Sequence, residues 1–374
     1  MVGGGQLSRM TSQAAIALGV SFRVLAQSEN DSASQITNNY ILGEHTNLDH
    51  LRALAQVSDV VTFDHEHVPE VLLRQLVQEG FNLQPTPDAL VFAQDKVAMR
   101  KKLHQLGVAQ PSFAVIETIE QAIDFGKEYG FPFVLKLSRG GYDGKGVWVC
   151  HSEKDIEATL GQNFSHTFQW LAEEFVAFSR ELASQVARSP QGQMVTYPIV
   201  ESRQVNGMCS MVIAPAPHLS DADAMSAQQL AMSIADSLNV TGMLAVELFE
   251  SERGILVNEL AMRPHNSGHW SIDGSTTSQF ENHLRAVLDL PLGDPSPIAR
   301  WSVMVNIIGG KYPDMYSAYK HCLARDPGLK VHLYGKEVRQ GRKVGHVTVC
   351  SDELQDAIRR ATHAADYFMG VIEE

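Results

Sequence analysis

Apolar residues along this chain recur with two periods, one near 3.6 and one near 2, and the points where the period changes outline its elements. Leu7, Met10, Ala14 and Leu18 follow Gly3-Gly4-Gly5 at helical spacing, and residues 22–25 then read as a strand. Residues 59–63 (DVVTF) predict a second buried strand and 69–79 a helix, the βαβ rhythm of an open parallel sheet. Only Met1 and Val2 precede the glycines, so a first strand there is expected to be very short or absent.

Pro85 and Pro87 interrupt the pattern before Asp88. A Lys- and Arg-rich helix over 95–106 and another over 119–129 come next, followed by strands over 133–137 and 147–150. Between those strands SRGGYDGKG (138–146) holds four glycines in seven residues, which predicts a hairpin loop. Further strands are expected at 172–176, 181–186, 196–200, 245–249 and 255–260, and helices at 228–238 and 278–288. After a proline-bearing linker at 291–297, strands at 303–308, 331–334 and 345–349 lead to a closing helix over 352–368. No internal repeat or low-complexity tract interrupts this order.

Composition narrows the class. The 374 residues are more than one ordinary core requires and suggest two or three packed units. With 44% hydrophobic and only 20% charged residues, a disordered chain is excluded. The 30 basic and 43 acidic residues leave a net charge of −13, against a nucleic-acid partner but not against a small phosphorylated ligand. No apolar run reaches the roughly 20 residues of a membrane span, and the N-terminus lacks signal-peptide character, so a cytosolic protein without membrane partners is expected. Cys150, Cys209, Cys322 and Cys350 are scattered without a C-x-x-C pair, which suggests neither a disulfide framework nor a zinc site.

Five clusters carry candidate chemistry. Gly3-x-Gly5-x-x-Ser8 opening a helix is compatible with a phosphate at the helix N-terminus and equally with a plain strand-to-helix turn, since the third glycine is replaced. In the loop 140–146 glycines allow backbone N–H groups to approach phosphate oxygens, with Lys136 and Lys145 supplying charge; no Ser or Thr follows Lys145, so it is not a Walker loop. The strands AVELF and ILVNEL each place a carboxylate in an apolar run. If Phe249 pairs with Ile255, Glu247 faces Val257 and Glu259 is its diagonal neighbour on one face. Two such carboxylates suit a Mg²⁺ ion held against phosphates, the alternative being a pair salt-bridged to Arg or Lys, while Asn258 points to the other face of an ideal strand. RPHNSGH (263–269) is a polar cluster fit to orient an anion. KEVRQGRK (336–343) gathers four cations around Gly341, either to capture a phosphate monoester or as a solvated basic turn.

Taken together, GGGQLSRM (3–10), GGYDGKG (140–146), VNELAMRPHNSGHW (257–270) and KEVRQGRKVGH (336–346) resemble the N5-carboxyaminoimidazole ribonucleotide synthetases, ATP-grasp enzymes of bacterial purine biosynthesis. The likeness covers essentially the whole chain in order. It implies an α/β protein, α+β in its central part, with the ATP-grasp fold. The units expected are a parallel-sheet pre-ATP-grasp domain at 1–94, an ATP-grasp domain at 95–300 and a small C-terminal domain at 301–374. The implied reaction converts ATP, bicarbonate and 5-aminoimidazole ribonucleotide to the N5-carbamate, ADP and phosphate through carboxyphosphate.

Carried over by position, the resemblance implies that Lys96 and Lys136 contact ATP phosphates. Gly141, Tyr142, Asp143, Gly144, Lys145, Gly146 and Val147 would form a lid. Glu173, Glu174, Phe175 and Val176 would hold the adenine, Glu181 the ribose, and Glu201, Asn258 and Glu259 further parts of the nucleotide site. Glu247 and Glu259 would carry Mg²⁺. Arg263, His265, Asn266 and Asp143 would surround the reacting groups, with Glu66 and Tyr142 on the substrate and Lys336, Arg342 and Lys343 on its 5′-phosphate. The general base stays open among Glu66, Asp143, His265 and the released phosphate, and a homodimer is implied. Ser8 stands where relatives usually have Gly, DHEH (64–67) varies a stretch commonly richer in Glu and Phe, and the short lead before Gly3 suggests a truncated or alternative start. The competing readings are an ATP-grasp ligase or transformylase with another acceptor, and an NAD(P)-binding oxidoreductase or sensor built on the N-terminal glycines.

Overall fold

The computed structural model describes residues 1–140, 146–163 and 169–373. In the N-terminal part, helix Gln6–Ala17 follows the glycines, and strands β1 (Val24–Ala26) and β2 (Tyr40–Leu42) pair in parallel. Val2 alone bridges Leu25 on one side and Phe63 on the other, and Val61 bridges Leu83, all in parallel. The open parallel sheet is therefore present in outline, and the expected strand 59–63 is reduced to two single bridges. Its neighbour Val2 offers one residue because Gly3, at φ +100°, turns the chain into the helix.

Strands β3 (Phe113–Ile116), β4 (Phe133–Leu137), β5 (Val147–Cys150) and β6 (Trp170–Glu174) form an antiparallel sheet in the order β3-β6-β4-β5. Helices Ile119–Tyr129 and Glu153–Asn163 cover it, burying Phe125, Phe133, Leu135, Ile156, Leu160 and Trp170. Thr118 opens the first of these helices by accepting from the Gln121 N–H.

The remaining strands are β7 (Phe178–Arg188), β8 (Met194–Thr196), β9 (Val200–Val205), β10 (Met208–Ala214), β11 (Gly242–Ser251), β12 (Gly254–Ala261), β13 (Trp301–Ile308), β14 (Lys330–Leu333) and β15 (Lys343–Ser351). They form a second sheet in the order β12-β11-β7-β9-β10-β13-β15-β14, with β8 on β7. Helix Leu354–Met369 packs its alanine face, Ala357, Ala361, Ala364 and Ala365, on β13 and β15. The sheet passes across residues 291–300: β13 pairs with β10, Met211 against Val305.

One expected strand divides in two. Residues 196–200 do not form one strand, because Pro198 lacks the N–H a ladder needs, and β8 and β9 lie on either side of it. The β9–β10 hairpin was not anticipated. Its turn is Asn206-Gly207, with φ +52° and +75°, the Asn-Gly signature that the sequence carried openly.

Candidate active site

Three carboxylates converge on β7, β11 and β12. The two-residue turn Glu252-Arg253 sets Ser251 against Gly254, so Phe249 pairs with Leu256 rather than with Ile255 as the sequence reading assumed. A bulge at Asn258 then advances the register by one, and Glu247 pairs directly with Glu259 on one side and with Ala183 on the other. The bulge also corrects the placement of Asn258. It lines the same small cavity as Glu181, Glu247, Gln204, His265 and Ser267 instead of turning to the far face.

The charges there are unevenly compensated. Glu259 is held by the Lys96 ammonium at 2.7 Å. Burial pushes the Lys96 pKa down, but Glu259, Glu173 and Glu247 outweigh it and raise it above the ordinary lysine value. Burial alone would raise Glu247, yet the hydrogen bond and charge of His265, with Arg263 and Lys96, hold it low. At Glu181 burial, then the Glu247 charge, outweighs a hydrogen bond with Gln204 and raises the carboxyl to about 7.

Lys96 begins the helix Lys96–Gln105, which Asp95 opens by accepting from the Val97 and Ala98 N–H groups. One turn later comes Arg100, fully buried and not singled out by the sequence reading. It donates to Glu173 at 2.6 Å and to the carbonyls of Val257 at 2.9 Å and Asn258 at 2.8 Å, tying β6 to the bulge. Lys136, on β4, reaches the other Glu173 oxygen at 2.6 Å. Burial would raise Glu173, but Lys136 and Arg100 pull it down to about 2. The signal available for Arg100 was its i+4 spacing from Lys96, which puts both cations on one helix face.

The RPHN loop arrives from the end of β12. Arg263 donates to Glu66 at 2.8 Å, joining the loop to the N-terminal part. His265 Nε2 lies 3.1 Å from Glu247, and Asn266 and Asn306 exchange amide hydrogen bonds at 2.7 and 3.2 Å. Gln279 grips the His265 backbone from both sides, accepting its N–H at 2.9 Å and donating to its carbonyl at 2.8 Å.

The basic turn contributes Lys336, which donates to Gln6 at 2.5 Å beside the first glycines. Asp64 sits at the helix N-terminus there, accepting from Gly5 at 2.7 Å and Ser8 at 3.0 Å, so these two amides are taken by the protein's own carboxylate. Burial pushes Asp64 up to about 6, against the pull of those amides, Arg263 and Lys336. Lys336, Arg263, Glu66 and Asp64 thus face one region. Lys343 opens β15, and Arg342 is exposed, donating to the Glu337 carbonyl at 3.3 Å.

Of the expected adenine-side residues, Glu173 is engaged as above, Glu174 pairs with Arg253, Phe175 is 49% exposed and Val176 is buried. Glu201 sits between Arg203 at 2.6 Å and Arg180 at 3.3 Å. Gly146, at φ +73°, accepts at its carbonyl from the Leu137 N–H at 3.1 Å, and Val147 pairs with Lys136. Gly141, Tyr142, Asp143, Gly144 and Lys145 lie outside the described residues.

Comparison with known proteins agrees with this architecture. Residues 1–94 match the ribonucleotide synthetase preATP-grasp domain, 101–280 the ATP-grasp domain and 302–360 the phosphoribosylaminoimidazole carboxylase C-terminal domain. The fold and site define an ATP-grasp ligase. The N5-carboxyaminoimidazole ribonucleotide synthase of Mycobacterium tuberculosis is 50% identical over 98% of this chain and 86% of its own. The Thermus thermophilus synthetase structure superposes with a TM-score of 0.87 at 36% identity, covering 97% of this chain and 98% of that one. The Aspergillus clavatus synthase, solved with ADP and 5-aminoimidazole ribonucleotide, gives 0.89 at 32% identity over 98% of each chain. The chain belongs to the N5-carboxyaminoimidazole ribonucleotide synthase family.

Proposed function

We propose that this chain carboxylates 5-aminoimidazole ribonucleotide with bicarbonate and ATP, giving N5-carboxyaminoimidazole ribonucleotide, ADP and phosphate for purine biosynthesis. The observation that carries the reading is the continuity of the site. The paired carboxylates Glu247 and Glu259 touch Lys96 and His265, and from there Arg263 and Glu66 lead to Lys336 at the N-terminal glycines.

Lys96 and Lys136 are the phosphate cations, and Glu173, Glu174, Phe175 and Val176, with Glu181, Glu201 and Asn258, form the nucleotide side. Lys136 and Arg100 leave Glu173 fully charged, which fixes the lysine beside β6 before nucleotide arrives. Among the described residues no group of three His, Cys, Asp or Glu could hold a metal alone. Two facing carboxylates fit Mg²⁺ all the same, since this ion takes one or two protein carboxylates and completes its shell with phosphate oxygens and water. Glu247 and Glu259 would hold it, and it would neutralise charge on the transferring phosphoryl group. A bicarbonate oxygen attacks the γ-phosphorus, ADP leaves, and the carboxyphosphate formed yields CO₂ and phosphate beside the exocyclic amine. Arg263, His265 and Asn266 orient these anions. The amine captures CO₂ and gives up one proton, for which Glu66, His265, Asp143 and the released phosphate are the candidates.

Lys336, Arg342 and Lys343 hold the 5′-phosphate of the ribonucleotide, with Glu66 and Tyr142 on its remainder. The loop carrying Gly141, Gly144, Lys145, Gly146 and Val147 would exclude water from carboxyphosphate. We take the working units as 1–94, 95–300 and 301–374. A cytoplasmic homodimer completes the proposal. Among the described residues no helix is long and apolar enough to cross a membrane, and Ile16 and Tyr316, 77% and 76% exposed, offer apolar contacts for a second copy. The test is ADP release with each substrate omitted in turn. Turnover requiring ATP, bicarbonate and the ribonucleotide together is expected; turnover that persists without the ribonucleotide or without bicarbonate rejects the assignment.

A further inference from the structure

Gln185 lies within β7 and is 1% exposed. Its amide nitrogen donates to the Ser267 hydroxyl oxygen at 2.9 Å. That hydroxyl meets His265 Nδ1 at 2.8 Å, and the Ser267 backbone N–H approaches the same nitrogen at 3.4 Å. The opposite ring nitrogen, Nε2, is the one 3.1 Å from Glu247.

Donor arithmetic orients this chain. The Ser267 backbone N–H can only donate, so its approach marks Nδ1 as an acceptor, and with Gln185 filling an acceptor position on Ser267 Oγ the hydroxyl proton can point there too. The proton of a neutral His265 therefore sits on Nε2, where a carboxylate that can only accept is waiting. The carbonyl oxygen of Gln185 is buried with no donor among the described residues, so the contact with Ser267 uses only the amino half of the side chain. The same amide closes over the loop from below, since a Cβ on Gly268 would come within 2.8 Å of Gln185 Nε2.

We propose that Gln185 is a positioning residue for His265: acting through Ser267, it fixes the rotation and tautomer of the imidazole so that its Nε2–H is presented to Glu247. The inference rests on the reading of His265 as an active-site group, and its test keeps the two apart. In the full chain, Gln185→Leu conserves volume and is expected to lower kcat roughly 10- to 100-fold, as loss of a supporting hydrogen bond does. The KM for ATP and the thermal midpoint should stay as in the wild type, whereas a merely structural role would move the midpoint along with kcat. Ser267→Ala should give a similar loss, and the double variant no further loss than the more affected single one. Wild-type kcat in Gln185→Leu, or losses that multiply in the double variant, overturns the relay. Gln185→Met reads the same cycle if the leucine variant does not fold. Should His265→Ala itself keep full turnover, the assignment of the site fails; an inactive His265→Ala beside a fully active Gln185→Leu removes only the positioning role.

Discussion

Glu247 and Glu259 face each other across β11 and β12 because Asn258 is bulged out of the pairing between them. On the turn side of the bulge, Leu248 pairs with Val257. Had that register continued, Glu247 would oppose Asn258, and Glu259 would oppose Val246, a core residue on the other face of the sheet. One inserted residue therefore converts two carboxylates on opposite faces into a pair on one face, next to a lysine and a histidine.

On the proposed reading, in which this pair holds Mg²⁺, both carboxylates are needed for turnover and little is asked of them for folding. Glu259→Gln and Glu247→Gln are each expected to lower kcat by roughly 100-fold or more, the scale seen when charge stabilisation of a transition state is removed. Circular dichroism should be unchanged. A Glu259→Gln variant that retains Mg-dependent turnover would take this residue out of the proposed metal site.

Arg100 should behave in the opposite way, as a structural residue first. Its guanidinium serves the buried Glu173, the buried Val257 carbonyl and the part-buried Asn258 carbonyl at the bulge, so Arg100→Met leaves Glu173 with Lys136 alone and removes the guanidinium from both carbonyls. Breaking a buried pair in this way costs about 3–5 kcal/mol. Arg100→Lys should rescue little, because a single ammonium cannot match the planar fork. Urea unfolding near neutral pH provides the measurement, and a wild-type midpoint in Arg100→Met would count against the role. The contribution of Glu173 follows from its depressed pKa. With a folded value of about 2 against an ordinary 4.5, its stabilisation is complete above 4.5 and lost as pH falls towards 2.

How much of this was legible beforehand depended on the range of the interaction. The strands at 133–137 and 147–150 and the helix at 119–129 were read correctly because each is a short-range pattern bounded by Gly, Pro or a Thr cap. Glu247, Glu259 and Arg263 were legible as charges inside or beside apolar runs. The Asn258 bulge was not, since period-2 reasoning assumes an unbroken pleat. Arg100 was hidden among the neighbouring lysines of KVAMRKKL, and only the fold distinguishes the face that meets Glu173 from the faces that meet solvent. Asp64 and Gln185 were missed for a related reason: their partners, Gly5, Ser8 and Ser267, lie 56 to 82 residues away in sequence.

Glu181 supplies a pH test. Its carboxyl titrates at about 7 in the fold against an ordinary 4.5, so the folded state holds the proton more tightly than the unfolded state does. The contribution of Glu181 to wild-type stability therefore falls as pH rises from 4.5 to 7, and its penalty is complete above 7. Glu181→Gln removes that charge. Without nucleotide or divalent ions, its thermal midpoint should exceed that of the wild type at pH 8, and the gap should close near pH 5. Equal gaps at both pH values would refute the raised pKa.

Two of the four cations of the basic turn, Lys336 and Arg342, should separate in their effects. Lys336 is half-buried and reaches the helix at Gln6, whereas Arg342 projects into solvent. Lys336→Met is expected to raise the KM for the ribonucleotide roughly 10- to 100-fold, as loss of a charge-assisted contact to phosphate would. Arg342→Met should raise it less, and neither should alter the KM for ATP. A change confined to ATP would contradict a phosphate clamp at this turn.

Gly268 in the RPHNSGH loop has no room for a side chain. It is buried, and a Cβ there would lie 2.4 Å from Gln279 Oε1, 2.6 Å from its Cδ and 2.8 Å from Gln185 Nε2. These atoms are not the free ends of flexible chains. The Gln279 amide is fixed by both the N–H and the carbonyl of His265, and the Gln185 amide by Ser267. Gly268→Ala must therefore displace at least one clamp, and either displacement moves the ring that meets Glu247. A shift of an ångström at a reacting group is enough to cost roughly 100-fold in rate, so kcat should fall on that scale while ADP affinity, which the proposal places on the Lys96 and Lys136 side, is retained. Steady-state kinetics with ADP titration would check this. Full turnover in Gly268→Ala would show that the loop tolerates a methyl group against both glutamines, and that their grip on His265 is not what aligns it.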